Sequence, residues 1–226
     1  MSPKRTLYYI ADPMCSWCWG FAPVVDTVRR HLDEGINWRP VMGGLARDSD
    51  EPMPAATRES IRHHWSAVAE RTGACFNWAF WEACEPRRST YPACRAVLAA
   101  TAIDPVGTAG DRMFDAIQRA YYTQARNPSL ASTLTELASE IGLDAEQFAA
   151  QLRSPATEAE LQADFDLRRR LQTTAFPGLV LETSTVLEAS SRTWIARGYT
   201  DEETVLDRLR QHTALTTALA TETAGA

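Results

Sequence analysis

Asp12-Pro13-Met14-Cys15-Ser16-Trp17-Cys18-Trp19-Gly20-Phe21-Ala22-Pro23 is the stretch on which the reading of this chain turns. It holds two cysteines separated by two residues. Before it, Thr6 to Ala11 has the β-branched and aromatic content of a short buried strand, and Asp12-Pro13 ends that strand because proline cannot continue a ladder. After it, Phe21, Val24, Val25, Val28 and Leu32 recur three and four residues apart. That spacing predicts a one-faced helix running to Gly35, bent early by Pro23. Ile36 to Met42 then reads as a second strand, closed by Gly43-Gly44. A strand, a Cys-x-x-Cys at a helix start, a helix and a strand form a βαβ opening, and that context turns a bare cysteine pair into a redox signal.

Disulfide exchange needs one thiol that is ionised and reachable, and a second close enough to attack the mixed disulfide. A helix N-terminus has unpaired N–H groups and partial positive charge, which favour a thiolate at Cys15. Cys18 falls one turn inward, shielded, and is the expected resolving thiol. Trp17, between them, is expected to face outward and form part of an apolar docking surface, whereas Trp19 could either pack under the site or line it. A structural zinc ion would need a second Cys/His pair. Cys75, Cys84 and Cys94 are too dispersed to supply one, so no metal is expected, and these three read as small buried hydrophobes. Asp12 could assist proton transfer, but a turn before Pro13 explains it equally well. His63 and His64 are expected on opposite sides of a helix, with no chemistry assigned.

Farther along, the character turns helical from about Pro52 to Thr174, with Ile61, Trp65 and Val68 marking one face up to Gly73. Pro92 suits the first turn of a helix reaching Ile103, and Asp144 with Gln147 and Ser154-Pro155 mark later helix starts. Strand character returns at Gly178 to Glu182 and at Thr193 to Ala196, and Thr200 with Glu203 is expected to cap a final helix. The order is therefore β-rich ends around a helical middle. Ala175-Phe176-Pro177 stands directly before a strand. In this setting a cis Phe176–Pro177 bond is expected, with the backbone of Phe176 offered to a substrate chain, strand to strand. Phe176, Pro177 and Trp17 are thus the predicted substrate-binding residues.

Bulk properties narrow the partners. The 226 residues carry 23 Lys and Arg against 29 Asp and Glu, a formal charge of −6. Nucleic acid as a general partner is disfavoured, because phosphate binding needs concentrated cations. The one dense basic run, Arg168-Arg169-Arg170, reads as a solvated helix face. No stretch approaches the roughly 20 apolar residues of a membrane helix. The start, Met1 to Arg5, has no apolar run after its basic residues, which predicts a cytoplasmic protein.

The opening quoted above closely resembles the active-site opening of the DsbA-like family of bacterial protein-disulfide isomerases. The likeness continues at Met42-Gly43-Gly44-Leu45, His64-Trp65, Thr72-Gly73, Tyr91-Pro92-Ala93-Cys94-Arg95-Ala96, Ala120-Tyr121-Tyr122, Phe176-Pro177-Gly178 and Gly198-Tyr199. The resemblance implies an α/β, thioredoxin-like fold with a large α-helical insertion domain. It also implies Cys15 as nucleophile, Cys18 as resolver and Pro177 as the cis proline. The expected division is a discontinuous thioredoxin-like domain at 1–51 and 175–214, a helical insertion at 52–174, and a C-terminal tail at 215–226 frayed for want of an apolar stripe. Gly178 departs from the family, where threonine is common, and Thr183 to Arg192 is longer than the usual hairpin. The function implied is thiol–disulfide oxidoreductase or isomerase, with protein or small-molecule thiols and disulfides as partners. No cofactor is expected beyond the dithiol itself, with glutathione a candidate co-substrate. Two alternatives stand beside it. One is a kappa-like glutathione transferase or isomerase, which would commonly place serine at position 15. The other is a non-enzymatic adaptor that holds partners without turning them over.

Overall fold

The computed structural model describes residues 4–105, 107–184 and 190–223, with side chains as far as His212. Strand β1 (Lys4–Ala11) leads into helix α1 (Ser16–Arg30) and strand β2 (Ile36–Met42); β3 (Gly178–Ser184), β4 (Ser191–Arg197) and helix α9 (Glu202–Thr223) complete this half. The sheet order is β2-β1-β3-β4, with β1 parallel to β2 and antiparallel to β3. A parallel pair needs a crossover, and α1 is that crossover. Alternation along β1 divides it between two cores. Leu7, Tyr9 and Ala11 pack with Phe21, Val24 and Val28 of α1, while Tyr8 and Ile10 pack with Val41, Val180 and Leu167 on the other face. The sheet is therefore covered on both sides, and the end of β1 delivers Asp12 and the dithiol to its C-terminal edge.

Between β2 and β3 lie α2 (Ala55–Thr72), α3 (Phe80–Ala83), α4 (Tyr91–Ile103), α5 (Ala109–Thr123), α6 (Ala131–Glu140), α7 (Ala145–Leu152) and α8 (Pro155–Arg170). This helical half is organised around Trp65 of α2, which is fully buried. Phe76, Phe80, Trp81, Tyr121 and Tyr122 surround it with ring centroids 4.9 to 5.8 Å away. Tilted and edge-to-face arrangements of this kind add to the stabilisation from area burial alone.

Two local expectations need correction. Helix α1 stops at Arg30 rather than Gly35, because the N–H of His31 is shared between the carbonyls of Thr27 and Val28 and closes the last turn. Helix α9 is capped by Asp201, whose carboxylate accepts from the backbone N–H and the hydroxyl of Thr204, and not by a Thr200–Glu203 box. It runs to Thr223. The long β3–β4 connection expected from Thr183 to Arg192 has residues 185–189 outside those described.

Candidate active site

Cys15 is the N-cap of α1, in extended conformation, with its N–H donating to the Asp12 carbonyl at 3.0 Å. Its side chain makes no cap hydrogen bond, and no acidic residue occupies the first turn of the helix. Cys15 keeps 6% exposure and Cys18 none. Burial first, and then the Cys15 sulfur, push the Cys18 thiol well above its ordinary value. Burial first, and then the two thiols, push the Tyr9 phenol well above its ordinary value. One sulfur thus meets the outside and the other sits behind it.

Asp12 is fully buried and organises the approach to the dithiol. One carboxylate oxygen accepts from the Met14 N–H at 2.8 Å; the other accepts from the Leu45 N–H at 2.8 Å, the Thr90 hydroxyl at 2.6 Å and the Cys94 thiol at 3.7 Å. Burial raises its pKa, and those hydrogen bonds pull the other way. The carboxylate therefore ties together the loop before α1, the loop after β2 and the entry to α4, a larger role than a turn before Pro13 requires.

Cys15 opens onto a cleft of about 260 Å³ between the two halves. The thioredoxin-like half contributes Met14, Trp17 and Phe176; the helical half contributes Ile61, His64, Trp65, Arg87, Arg88 and Tyr121. Among the described residues, two arginines line this cleft and no carboxylate does. Arg87 is held by Asp50 at 2.8 Å, while Arg88 is exposed.

Phe176 lines the cleft as a half-buried ring, and its bond to Pro177 is cis. The ring lies over Gly43, where a Cβ would overlap it, and the guanidinium of Arg168 stands 5.8 Å from its centroid while donating to the Gly43 carbonyl. Gly44 beside it has φ +63, a left-handed conformation that favours glycine. Arg168 is accordingly half-buried and holds the Phe176 loop, correcting its reading as part of a solvated face. Pro177 itself is buried, so Thr174 and Phe176 face the cleft in its place.

Trp17 lines the cleft, as an outward docking residue would, and is half-buried there with its ring 6.1 Å from that of Tyr199. Other expectations change. Trp19 packs on the helical half, stacked on Tyr122 at 5.6 Å and donating to the Cys75 carbonyl. Of the three lone cysteines only Cys94 is buried; Cys75 is exposed in the loop that meets Trp19, and Cys84 is half-buried with its thiol on the Ala125 carbonyl. His64 lines the cleft, whereas His63 is exposed and pairs with Glu59. His64 stands in a stretch that carries the family resemblance, whereas nothing in the local sequence marks Arg87 or Arg88; their place beside Cys15 in the cleft wall does.

Residues 8–192 match the family model described as thioredoxin. Among solved structures, a provisionally named protein disulfide isomerase of Nitrosomonas europaea superimposes with a TM-score of 0.78 at 32% identity, over 94% of this chain and 100% of that one. The cytosolic disulfide reductase DsbM of Pseudomonas aeruginosa gives a TM-score of 0.72 at 26% identity, over 93% and 99% of the two chains. The same reductase has been solved with GSH. Among curated relatives, the ClpXP adapter protein SpxH of Bacillus subtilis (strain 168) is 25% identical over 185 residues. The match takes in 78% of this chain, and the chain spans 58% of that relative's length.

Proposed function

From a chain that belongs to the thioredoxin family, and within it to the DsbA-like oxidoreductases, we propose a dithiol that exchanges disulfides with small anionic thiols of the glutathione kind. The observation that carries this reading is the cleft: Cys15 faces it, Cys18 is sealed behind, and Arg87 and Arg88 line it without a carboxylate among the described residues. The solved complex of DsbM with GSH supports the choice of substrate class. A cytoplasmic site of action fits, since DsbM is described as cytosolic.

The steps follow from the two sulfur positions. The Cys15 thiolate attacks one sulfur of a disulfide R–S–S–R; that bond breaks, and RS⁻ leaves to be protonated by solvent. Cys15 is then joined to the remaining RS group. Cys18 attacks the Cys15 sulfur, its proton going to the second departing RS⁻. The products are two thiols and a Cys15–Cys18 disulfide, a two-electron transfer that runs in reverse when the dithiol is to be regenerated. Phe176 and Trp17 would flank the mixed disulfide, and Arg88, exposed at the cleft, would hold a carboxylate of the substrate.

Stopped-flow fluorescence tests this with the reduced protein against glutathione disulfide and neutral hydroxyethyl disulfide. The anionic substrate should react faster, and its advantage should shrink with salt. Rates equal to those of a free thiol with both substrates would overturn the reading. The SpxH match favours one second reading, an adaptor that holds partners without turnover. Multiple turnovers with glutathione disulfide and a recycling reductant would exclude it.

A further inference from the structure

A second cavity, of about 370 Å³, opens beside the free edge of β2, between α1, α4, α5 and α8. We propose that it binds a small organic cation with an apolar body and a carbonyl acceptor, independently of the dithiol cleft. The volume is in the range of small-molecule sites.

The case for an acceptor rests on two buried donors. Gln118 of α5 lines the cavity at 1% exposure, and its amide nitrogen has no hydrogen-bond partner. The indole nitrogen of Trp38 on β2, also in the wall, has none either. Buried polar groups are normally partnered, so two orphaned donors on residues of one cavity wall would each gain a bond if a small side-chain turn brought them to a ligand's acceptor. The apolar body is called for by Trp38, which stacks on Tyr9 at 5.5 Å, and by Phe114, Val25 and Leu98 in the same wall.

The case for positive charge rests on the rim. Its guanidiniums are already committed: Arg29 to Asp111 at 2.6 Å and over the Trp38 ring at 5.7 Å, and Arg39 toward Asp164 at 3.6 Å. Asp26, Asp115 and Glu160 are left with no ion pair within 4 Å among the described residues. The Asp115 carboxyl is raised by burial, and Asp26 and Asp111 add to that rise against Arg119 and Arg29. Among the described residues no group of His, Cys, Asp or Glu is disposed to hold a metal ion, so a diffuse organic cation suits the rim better than a compact one. The dithiol cleft has the opposite character, with two arginines and no carboxylate, and the two sites should not compete for one ligand.

The test uses benzoyl-L-arginine amide as the cation, with benzoyl-L-glutamate as its anionic counterpart. Binding is followed by isothermal titration and by the Trp38 indole N–H resonance, assigned through Trp38→Phe. The cation should bind saturably and shift that resonance, and the anion should do neither. The double variant Asp26→Asn with Glu160→Gln, both exposed positions, should weaken binding about tenfold at low salt. Gln118→Leu should weaken it as well, with folding checked by circular dichroism. Cys15→Ser should bind the cation as the parent does. No saturable binding, equal binding of the anion, or unchanged affinity in the acid variant or in Gln118→Leu would overturn the proposal. So would loss of binding in Cys15→Ser, which would place the probe in the dithiol cleft.

Discussion

The thioredoxin-like half presents both cysteines within one turn of a single helix, whereas the helical half reaches the same cleft from well-separated places, three of them on or beside its helices. These are Ile61, His64 and Trp65 on α2, Arg87 and Arg88 ahead of α4, and Tyr121 on α5. The sulfur chemistry is therefore a local construction, needing a strand to end and a helix to begin. The opposite wall is a long-range construction, standing only while the aromatic cluster around Trp65 holds those three places together. On the proposed function, the difference separates sulfur reactivity, carried by one half, from the charged contact to substrate, carried by the other.

The strongest way to break that division is to loosen the helical half alone. Trp65→Ala removes a fully buried ring at the centre of the cluster and should cost about 3–5 kcal/mol in denaturant unfolding. Because Trp65 also lines the cleft, the variant should lose its preference for anionic disulfides while keeping alkylation of Cys15. Loss of less than about 1 kcal/mol would show that the wall does not depend on this ring.

The seam between the halves offers a smaller effect with a definite pH sign. Asp164 of α8 accepts the Met42 N–H of β2 at 2.8 Å, and burial pushes its carboxyl up to about 6 from an ordinary 3.8, with Met42 and Arg39 opposing the shift. The folded protein thus holds this proton more tightly than the unfolded chain. Its stabilising contribution is complete below the ordinary carboxylate range and is lost as pH rises through about 6. Chemical denaturation from pH 4 to 7 should show the parent losing about 1–3 kcal/mol relative to Asp164→Asn across that window. Parallel profiles would contradict the buried seam.

The smallest effect sharpens the selection side. Arg88→Ala should raise KM for glutathione disulfide about fivefold, with kcat nearly unchanged and little effect on hydroxyethyl disulfide. Equal effects on both substrates would remove Arg88 from substrate selection.

The same contrast explains what could be read from the sequence. The Asp12 to Pro23 run, the buried character of β1 and the apolar face of α1 are set by near neighbours, and the cis Phe176–Pro177 bond was expected from the distant Cys-x-x-Cys and the order of elements; all are found where they were expected. Cys94 was expected to be buried, and it is, but its contact with Asp12 joins residues far apart in the chain and has no local signature. Arg168 looked like one of three solvated cations until the fold carried Gly43 and Phe176 to it. His64 and Arg88 belong to the cleft for the same long-range reason. Pro177 drew attention as a site residue through its backbone, yet packing turns Phe176 and not the proline ring toward Cys15.

The central claim, that Cys15 attacks and Cys18 resolves, is tested most directly by intact-protein mass spectrometry of two single variants exposed to glutathione disulfide. Cys18→Ala should accumulate one glutathione adduct, mapped to Cys15 and released by reductant, because no second sulfur stands behind Cys15 to displace it. Cys15→Ser should accumulate almost none at position 18, where the sulfur is fully buried. Equal adducts on both variants, or an adduct on Cys18 alone, would contradict the account.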